Sequence, residues 1–252
     1  MTSYDHRSKT SKPMVYFWES LIDKERAKGR AAYVLEPIEK YHREATRILE
    51  IGCGIGEVLV NLPIKYSISG VDIGADYIEV CRRRMPKGRF YVSSMHNFRI
   101  DEKFDAIFSA DDAVNFLKDF SQWRSTFKAV SEHLDLDGLF IFDVFTPKML
   151  SYTRRWWKNH DRTYLSGKEF EGGYSFDRGV AKGTALTWEF SIFEKLPSSL
   201  YQLNEYAFRE RIYPVARMKS ALSKRFDILE ASPREDGRVV LFVCRKKRST
   251  SP

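Results

Sequence analysis

The sequence has 252 residues, of which 43% are hydrophobic and 30% charged, a composition typical of a globular protein. Its three cysteines form no Cys-x-x-Cys pair, and no apolar stretch approaches the ~20 residues of a membrane-spanning helix. A disulfide scaffold, a zinc site and a membrane span are therefore disfavoured, and we expect a cytoplasmic protein without a metal. The net charge of +8 favours anionic partners, nucleic acid among them.

The first 147 residues predict alternating helices and strands. Residues 14–42 have helical spacing, with Pro37 expected to kink the helix or to begin a second one. Apolar runs that predict strands then alternate with helical patterns as far as residue 146: "RILEI", "YSISGVD", "RFYVS", "FDAIFSA" and "LFIFDVF" predict strands, and "EVLVNL", "ADYIEVCRRRM" and "SQWRSTFKAVSEHL" predict helices. Such alternation predicts a parallel sheet with helices on both faces.

The pattern changes after Pro147. Residues 163–213 alternate aromatic and polar side chains without intervening helices, which predicts an antiparallel sheet. A helix follows Pro214, and two final strands end the chain. We therefore divide the sequence into an N-terminal arm with helices (1–42), a core (43–147 and 214–248), and an inserted antiparallel sheet (148–213) that covers a substrate site.

Three glycines follow the first predicted strand at alternate positions, in the stretch "RILEIGCGIGE". Gly52, Gly54 and Gly56 allow positive φ and let the backbone pass close to a ligand. Asp72 ends the second predicted strand, where its carboxylate could accept both ribose hydroxyls of an adenosine group, with Ile73 against the adenine. The alternative is that Asp72 only caps the following helix.

The glycine spacing argues against a dinucleotide. The pattern G-x-G-x-x-G that starts at Gly52 requires glycine at position 57, which is glutamate. Glu50, two residues before the loop, would repel a pyrophosphate but could face the amino group of a methionine-like moiety. The electrostatics therefore favour a zwitterionic sulfonium cofactor over NAD.

These stretches together resemble a known family. "LEIGCGIG", "GVDI", "FYVSSMHNF", "FDAIFSADDAVNFL" and "HLDLDGLFIFDVFTP" have the order and spacing seen in class I S-adenosylmethionine-dependent methyltransferases. The resemblance implies an α/β fold: a Rossmann-like seven-stranded sheet whose last strand is antiparallel, with helices on both faces, plus an inserted antiparallel β roof. It also implies S-adenosyl-L-methionine as the cofactor.

The same resemblance implies a set of cofactor contacts. Glu50 and the glycine loop would hold the amino acid end, Asp72 the ribose, and the segment after the third strand the adenine. The implied residues are Glu50, Gly52, Cys53, Gly54, Gly56, Asp72, Ile73, Ser94, Met95, Ala110 and Asp111. Many relatives have aspartate in place of Ser94, so we expect a weaker adenine contact here.

The insertion is similar to that of small-molecule methyltransferases such as glycine and amino-sugar N-methyltransferases. The candidate acceptor contacts are Tyr16, Asn115, Trp156, Trp157, Trp188, Tyr206 and Arg209. Two alternatives remain open for these residues. Most of the aromatic side chains could belong to the core of the sheet, and Arg209, which shares a strand face with Arg211, could be solvated or paired with Glu205.

The predicted function is transfer of a methyl group to a nitrogen or oxygen of a small molecule by in-line displacement. An amine must only arrive neutral, whereas a hydroxyl requires a general base. The candidate bases are His96, His133, His160, Asp111 and Asp112, and the sequence does not single out one.

Two other functions remain open, an RNA or protein methyltransferase and a non-catalytic S-adenosylmethionine-binding protein. Nucleic acid is not favoured, because "SADDAV" has two acids and no proline at the place where amino-directed nucleic-acid methyltransferases have a D/N/S-P-P-Y/F run. A homodimer through edge strands of the roof is left open.

Overall fold

The computed structural model describes residues 12–20, 22–159, 166–170 and 172–248. Its helices are α1 (Lys12–Ser20), α2 (Lys24–Tyr41), α3 (Ala75–Arg84), α4 (Phe120–His133), α5 (Pro147–Asn159) and α6 (Val215–Leu222). Its strands are β1 (Arg47–Ile51), β2 (Ser67–Asp72), β3 (Arg89–Val92), β4 (Phe104–Ser109), β5 (Leu134–Phe145), β6 (Ser166–Phe170), β7 (Gly173–Lys182), β8 (Ala185–Lys195), β9 (Tyr201–Arg211), β10 (Phe226–Arg234) and β11 (Val239–Lys246).

Seven strands form the central sheet, in the order β3-β2-β1-β4-β5-β11-β10. β1 to β5 pair in parallel, and β11 runs antiparallel to both of its neighbours. The predicted seven-stranded sheet with an antiparallel last strand is confirmed. The strand order reverses between β1 and β4, whose carboxyl ends lie side by side. In open α/β sheets ligands bind at that position.

Helices cover the sheet on both faces, as the alternating pattern predicted. On one face, Trp123 and Phe127 of α4 pack in a cluster with Phe140 and Phe142 of β5. On the other face, α2 and α3 pack with apolar side chains of β1, β4, β5 and β11. Every residue of β4 is buried, which explains why its sequence lacks the polar alternation of a half-exposed strand.

The N-terminal helical pattern forms two helices, where the sequence predicted one interrupted at Pro37. α1 ends at Ser20, and Asp23 caps α2 by accepting the N–H groups of Glu25 (3.0 Å) and Arg26 (3.1 Å). Pro37 lies buried inside α2 and starts no new helix. The break therefore occurs where a side chain can satisfy free N–H groups.

The predicted helix in "EVLVNL" is only a 3-10 helix at Leu59–Asn61. Six residues separate Gly56 from Pro63, which leaves little more than one helical turn. Asp137, in the segment expected to separate helix from strand, instead lies inside β5 with φ +62°. β5 therefore begins directly after α4.

The insertion contains a separate antiparallel sheet in the order β6-β7-β8-β9. In its register Trp188 pairs with Phe208 and Phe190 with Tyr206. Helix α5 precedes this sheet, in a region that the sequence analysis included in the inserted sheet (148–213) without predicting a helix. Met149 and Leu150 of α5 pack against Leu186 and Ile212, so the helix anchors the sheet to the core.

Helix α1 joins the inserted sheet to α3. Met14 and Phe17 pack in one cluster with Phe190 and Phe208. The indole N–H of Trp18 donates to the Tyr77 hydroxyl of α3 (3.0 Å), and its ring also lies against Phe190 and Phe208. In the described part of the chain, no helix has the length and apolarity needed to cross a membrane.

Candidate active site

The loop after β1 carries the three glycines in left-handed conformations, with φ of +73° at Gly52, +49° at Gly54 and +75° at Gly56. A Cβ at Gly52 would lie 2.8 Å from Met95 Cε and 2.9 Å from Ala113 Cβ. A Cβ at Gly54 would meet no atom within 4 Å. The loop is therefore packed closely against the segments after β3 and β4, while Gly54 borders open space that a ligand can fill.

Gly56 and Cys53 face the interior of the core. A Cβ at Gly56 would lie 2.4 Å from Met85 Cε and 3.1 Å from Cys81 Sγ, so this glycine is explained by packing against α3. Cys53 is buried beside Gly70 of β2 and carries a free thiol. The structure brings both residues to the loop but directs them away from the open space at Gly54.

Glu50 is a buried acid directly below the glycine loop. Its side chain is 3% exposed, and Oε2 has no hydrogen-bond partner. Burial raises the pKa of Glu50 well above its usual value, and the fields of Cys81 and Asp72 add to the effect. A buried carboxyl oxygen without a donor is uncommon in folded proteins. An ammonium group, such as that of the cofactor's methionine end, would satisfy it.

Asp72 connects the loop to the next helix. Its Oδ2 accepts the N–H of Gly54 (2.8 Å), and its Oδ1 accepts the N–H of Gly74 at the start of α3 (2.8 Å). Burial raises the pKa of Asp72, although these amide bonds oppose the effect. The expected helix-capping role is thus present. Each oxygen keeps a second lone pair for a ribose hydroxyl, and Ile73 beside it is 38% exposed.

The segment after β3 lies on the other side of the loop. Ser94 Oγ is 2.6 Å from His96 Nδ1, and both side chains are half-buried. Met95 packs on Gly52. Burial lowers the pKa of His96, which favours the neutral ring. This segment has the hydroxyl and apolar groups that an adenine contact requires.

Of the two other candidate histidines, His133 does not reach the loop. His133 is buried at the end of α4, where Nε2 accepts the N–H of Ile100 (3.1 Å) and Nδ1 is 2.7 Å from Ala129 O. Both ring nitrogens are therefore engaged with the backbone. His160 lies outside the described residues.

The turn after β4 consists of two acids in the left-handed region, Asp111 (φ +57°) and Asp112 (φ +48°). Such a conformation costs a non-glycine residue about 1–3 kcal/mol and is concentrated at functional sites. Asp111 forms ion pairs with Arg30 and Arg26 of α2, the second at 3.6 Å. Ala110, which precedes the turn, is half-buried. The turn touches the glycine loop through Ala113.

Asp112 belongs to a cluster of one buried and two half-buried carboxyl groups that the sequence analysis did not identify. Its N–H donates to Asp143 Oδ1 of β5 (3.1 Å), and Glu210 of β9 approaches its carboxyl from the inserted sheet. Glu210 is 1% exposed; Oε1 accepts the indole N–H of Trp188 (2.7 Å), and Oε2 has no partner. Burial raises the pKa of Glu210 to about 8. Burial, followed by the charges of Glu210 and Asp143, also raises that of Asp112.

A cavity of about 430 Å³ opens next to this cluster, between α2, the end of β5 and the start of β11. A volume of this order suits a small molecule. Its lining combines both charge signs with apolar groups and includes Arg26, Arg30, Asp112, Asp143, Phe145 and Arg234.

The structure brings some of the predicted acceptor residues together near this cluster. Trp188 and Tyr206 lie on the buried face of the inserted sheet, the face that carries Glu210. Trp156 is half-buried in α5. The structure does not describe the side chains of Tyr16 and Trp157.

Two predicted acceptor residues are directed elsewhere. Asn115 is fully buried; its Nδ2–H donates to Arg211 O (2.9 Å), and its Oδ1 accepts the N–H of Phe145 (3.0 Å). Both ends of the amide therefore join the core to the insertion. Arg209 is exposed on the opposite face of β9 from Glu210, because successive strand residues alternate. The geometry does not support either residue as an acceptor contact.

A sequence signal for the missed acids did exist. Glu210 occupies the same strand face as Tyr206, Phe208 and Ile212, so it is a charged residue on an apolar face. Asp143 similarly interrupts the apolar run of β5. A charge at a position predicted to be buried is a candidate functional residue.

Comparisons with known proteins agree with this fold. A family model described as a methyltransferase domain matches residues 48–138. A protein of Geobacillus sp. (strain WCH70) whose name describes it as a methyltransferase is 24% identical over 94% of this chain and 100% of its own length. The dTDP-3-amino-3,4,6-trideoxy-alpha-D-glucopyranose N,N-dimethyltransferase of Streptomyces venezuelae is 26% identical over 46% of this chain and 49% of its own.

A solved structure extends the likeness to the insertion. The sugar N-methyltransferase KedS8 from Streptoalloteichus sp. ATCC 53650 superimposes with a TM-score of 0.79 at 16% identity, covering 98% of this chain and 97% of that one. At this identity the likeness concerns the fold. The matched methyltransferase domain and the full-length relative, together with the strand order and the glycine loop with its buried acid, identify the chain as a class I S-adenosylmethionine-dependent methyltransferase.

Proposed function

We propose that this enzyme methylates an amine nitrogen of a small molecule that binds in the cavity beside the Asp111–Asp112 turn, between α2 and the ends of β5 and β11. The observation that carries the proposal is the cavity of about 430 Å³ with Asp112 and Asp143 in its lining. Its volume suits a small molecule, and its carboxyl groups can accept hydrogen bonds from an amine nitrogen. The sugar N-methylation named for two of the similar proteins agrees with this acceptor class.

The cofactor would bind along the carboxyl ends of β1, β2 and β3. Glu50 would accept hydrogen bonds from its ammonium group, the backbone of Gly52, Cys53 and Gly54 would line its amino acid end, and Asp72 would hold the ribose. Ile73, Ser94 and Met95 would contact the adenine, and Ala110 and Asp111 would border the methyl group. When bound, S-adenosylmethionine supplies a methyl group on a sulfonium sulfur that a nucleophile displaces in line. The protein's part is to orient the acceptor and exclude water.

A hydroxyl acceptor is less well supported, because it requires a base at the reacting oxygen. His133 is engaged with the backbone on both nitrogens, and His96 lies on the adenine side of the loop. An RNA acceptor is also less well supported, because Asp111 and Asp112 would repel its phosphates.

The test uses S-adenosylmethionine carrying a ¹³C-labelled methyl group. The enzyme is incubated separately with the small-molecule, RNA and protein fractions of a bacterial extract, and labelled products are identified by mass spectrometry and ¹³C NMR. We expect N-methyl products in the small-molecule fraction alone, with less product from the Asp72→Ala variant. Label in RNA or protein, or no labelled product although the cofactor binds, would contradict the proposal.

A further inference from the structure

We infer that His96 makes the Ser94 hydroxyl a hydrogen-bond acceptor only, so that the two residues together recognise the 6-amino group of the cofactor's adenine. His96 is then a positioning residue, which acts on the cofactor through Ser94. The inference rests on the cofactor placement given under the proposed function and does not depend on the methyl acceptor. A serine alone would make a weaker contact than the aspartate of many relatives, and His96 offsets that difference.

The segment that carries Ser94 is bonded to the end of β2. β3 pairs with β2 as far as Asp72, and the N–H of Ser93 then donates to Asp72 O (2.8 Å). Asp72 is the residue that would hold the ribose. The next residue after Ser94, Met95, packs on Gly52 of the glycine loop. A base attached to a ribose at Asp72 would therefore meet the Ser94 hydroxyl beside an apolar side chain.

A short turn holds the side chains of Ser94 and His96 together. The N–H of Asn97 donates to Ser94 O (3.2 Å), which closes the turn, and Phe98 directly after it is fully buried in the core. Ser94 Oγ lies 2.6 Å from His96 Nδ1, and both side chains are half-buried. Because the two residues belong to one turn, local backbone geometry sets their contact.

The direction of this hydrogen bond decides what Ser94 can offer a ligand. At 2.6 Å the contact is shorter than an N–H donor usually makes and is typical of an O–H donor, so the hydroxyl donates and Nδ1 accepts. Burial lowers the pKa of His96 and so favours the neutral ring, and the charge of Asp119 at the start of α4 opposes this effect only in part. A hydroxyl has one hydrogen and two lone pairs. With its hydrogen directed to Nδ1, the Ser94 oxygen offers only lone pairs.

An oxygen that only accepts distinguishes adenine from its 6-oxo counterpart, hypoxanthine. The 6-amino group of adenine donates hydrogen bonds, whereas the 6-carbonyl oxygen of hypoxanthine accepts them. Two acceptors that face each other are both left unsatisfied, which is costly where water is excluded. A serine hydroxyl that is free to rotate would not make this distinction, because it could turn its hydrogen toward the carbonyl. The contact with His96 thus gives Ser94 the selectivity that an ionised aspartate has by itself.

The experiment measures the Kd of two ligands by isothermal titration calorimetry. They are S-adenosylhomocysteine and S-inosylhomocysteine, in which a carbonyl oxygen replaces the 6-amino group. The proteins are wild type, His96→Ala, Ser94→Ala and the double variant His96→Ala with Ser94→Asp. Ser93→Ala is the matched control, because it removes a neighbouring serine hydroxyl and keeps the N–H that bonds Asp72. Thermal unfolding of each protein checks that it folds.

We expect wild type to bind S-adenosylhomocysteine at least about 30-fold more tightly than S-inosylhomocysteine. In His96→Ala the first ligand should bind about threefold to tenfold more weakly, and the second at least as tightly as in wild type, because the released hydroxyl can donate to the carbonyl. The preference should thus fall below about fivefold, as it should in Ser94→Ala. The double variant should regain the wild-type preference, since an ionised carboxylate only accepts. Ser93→Ala should match wild type.

Several results would overturn the inference. An equal loss of affinity for both ligands in His96→Ala would assign His96 a structural role. An unchanged preference in His96→Ala or Ser94→Ala, or a double variant that does not regain it, would also reject the pair while leaving the cofactor in place. If His96→Ala does not fold, His96→Gln, which places no acceptor at the position of Nδ1, must show the same two changes. A wild type that binds neither ligand would reject the cofactor placement and this inference together, whereas the methyl acceptor is tested separately by the labelled products.

Discussion

The cofactor region of the core and the acceptor region beside the inserted sheet are built in different ways. In the core, backbone groups at the ends of adjacent strands form the site, and Asp72 binds a backbone N–H with each oxygen. Beside the insertion, side chains from separate elements meet at Asp112, and Glu210 keeps an oxygen without a partner. The proposed cofactor site thus depends on local backbone geometry, and the proposed acceptor site on tertiary packing.

The largest effect that we predict tests the junction of the two regions. Asn115→Ala should remove the amide that joins Phe145 N–H to Arg211 O, leaving buried backbone groups unpaired. We expect a loss of about 3 kcal/mol in unfolding free energy, or a fall of about 6–12 °C in Tm. Asn204→Ala, whose amide makes only a long 3.5 Å bond to Gln202 O, is the control and should change Tm little. Equal Tm values would mean that the two regions fold independently of this contact.

The next effect concerns the core alone. Asp72→Ala should weaken binding of S-adenosylmethionine and S-adenosylhomocysteine about 100-fold, because charge-assisted bonds to the ribose are lost. Isothermal titration calorimetry measures the Kd. Asp76→Ala in the first turn of α3 is the control and should bind both ligands within about twofold of wild type. Wild-type affinity in the Asp72 variant would disprove the ribose assignment.

A third prediction concerns the insertion through its pH dependence. Glu210 has a pKa raised to about 8 in the folded protein and of about 4.3 when unfolded. Between these values the folded state binds more protons, so this group's contribution to stability decreases as pH rises. From pH 6 to pH 7.5, wild type should lose about 2 kcal/mol more than Glu210→Gln. Denaturant unfolding at each pH tests this, and parallel curves would mean that Glu210 does not retain its proton.

The smallest effect is expected at Arg209. This side chain is exposed on the face of β9 opposite Glu210, so Arg209→Ala should change the rate of product formation by less than about twofold. Steady-state rates with the same acceptor fraction measure it. A large loss would mean that the acceptor reaches the outer face of the inserted sheet, which would reverse our assignment of the two faces.

The core was predictable because its chemistry requires residue types in local patterns. Gly52 and Gly54 need positive φ, and Asp72 must end a strand, so sequence spacing alone indicates them. The carboxyl cluster could not be predicted in this way. Asp112, Asp143 and Glu210 come from separate elements, and only the fold brings them together. Helix α5 was missed because the sequence analysis placed residues 148–162 in the inserted sheet without predicting an element there. Pro37 was overrated as a helix break, while Asp23 supplied the real cap.

The Asn115 side-chain amide, which bonds both Phe145 and Arg211, has a consequence for how such enzymes can change their acceptor. Because one amide holds the end of β5 and the end of β9 side by side, the chain leaves the core and returns to it at nearly the same point. A segment whose two ends meet can be exchanged as a cassette without altering the strand order around it. Grafting another insertion between Thr146 and Ile212 would therefore transplant acceptor preference onto an unchanged methyl-donor scaffold.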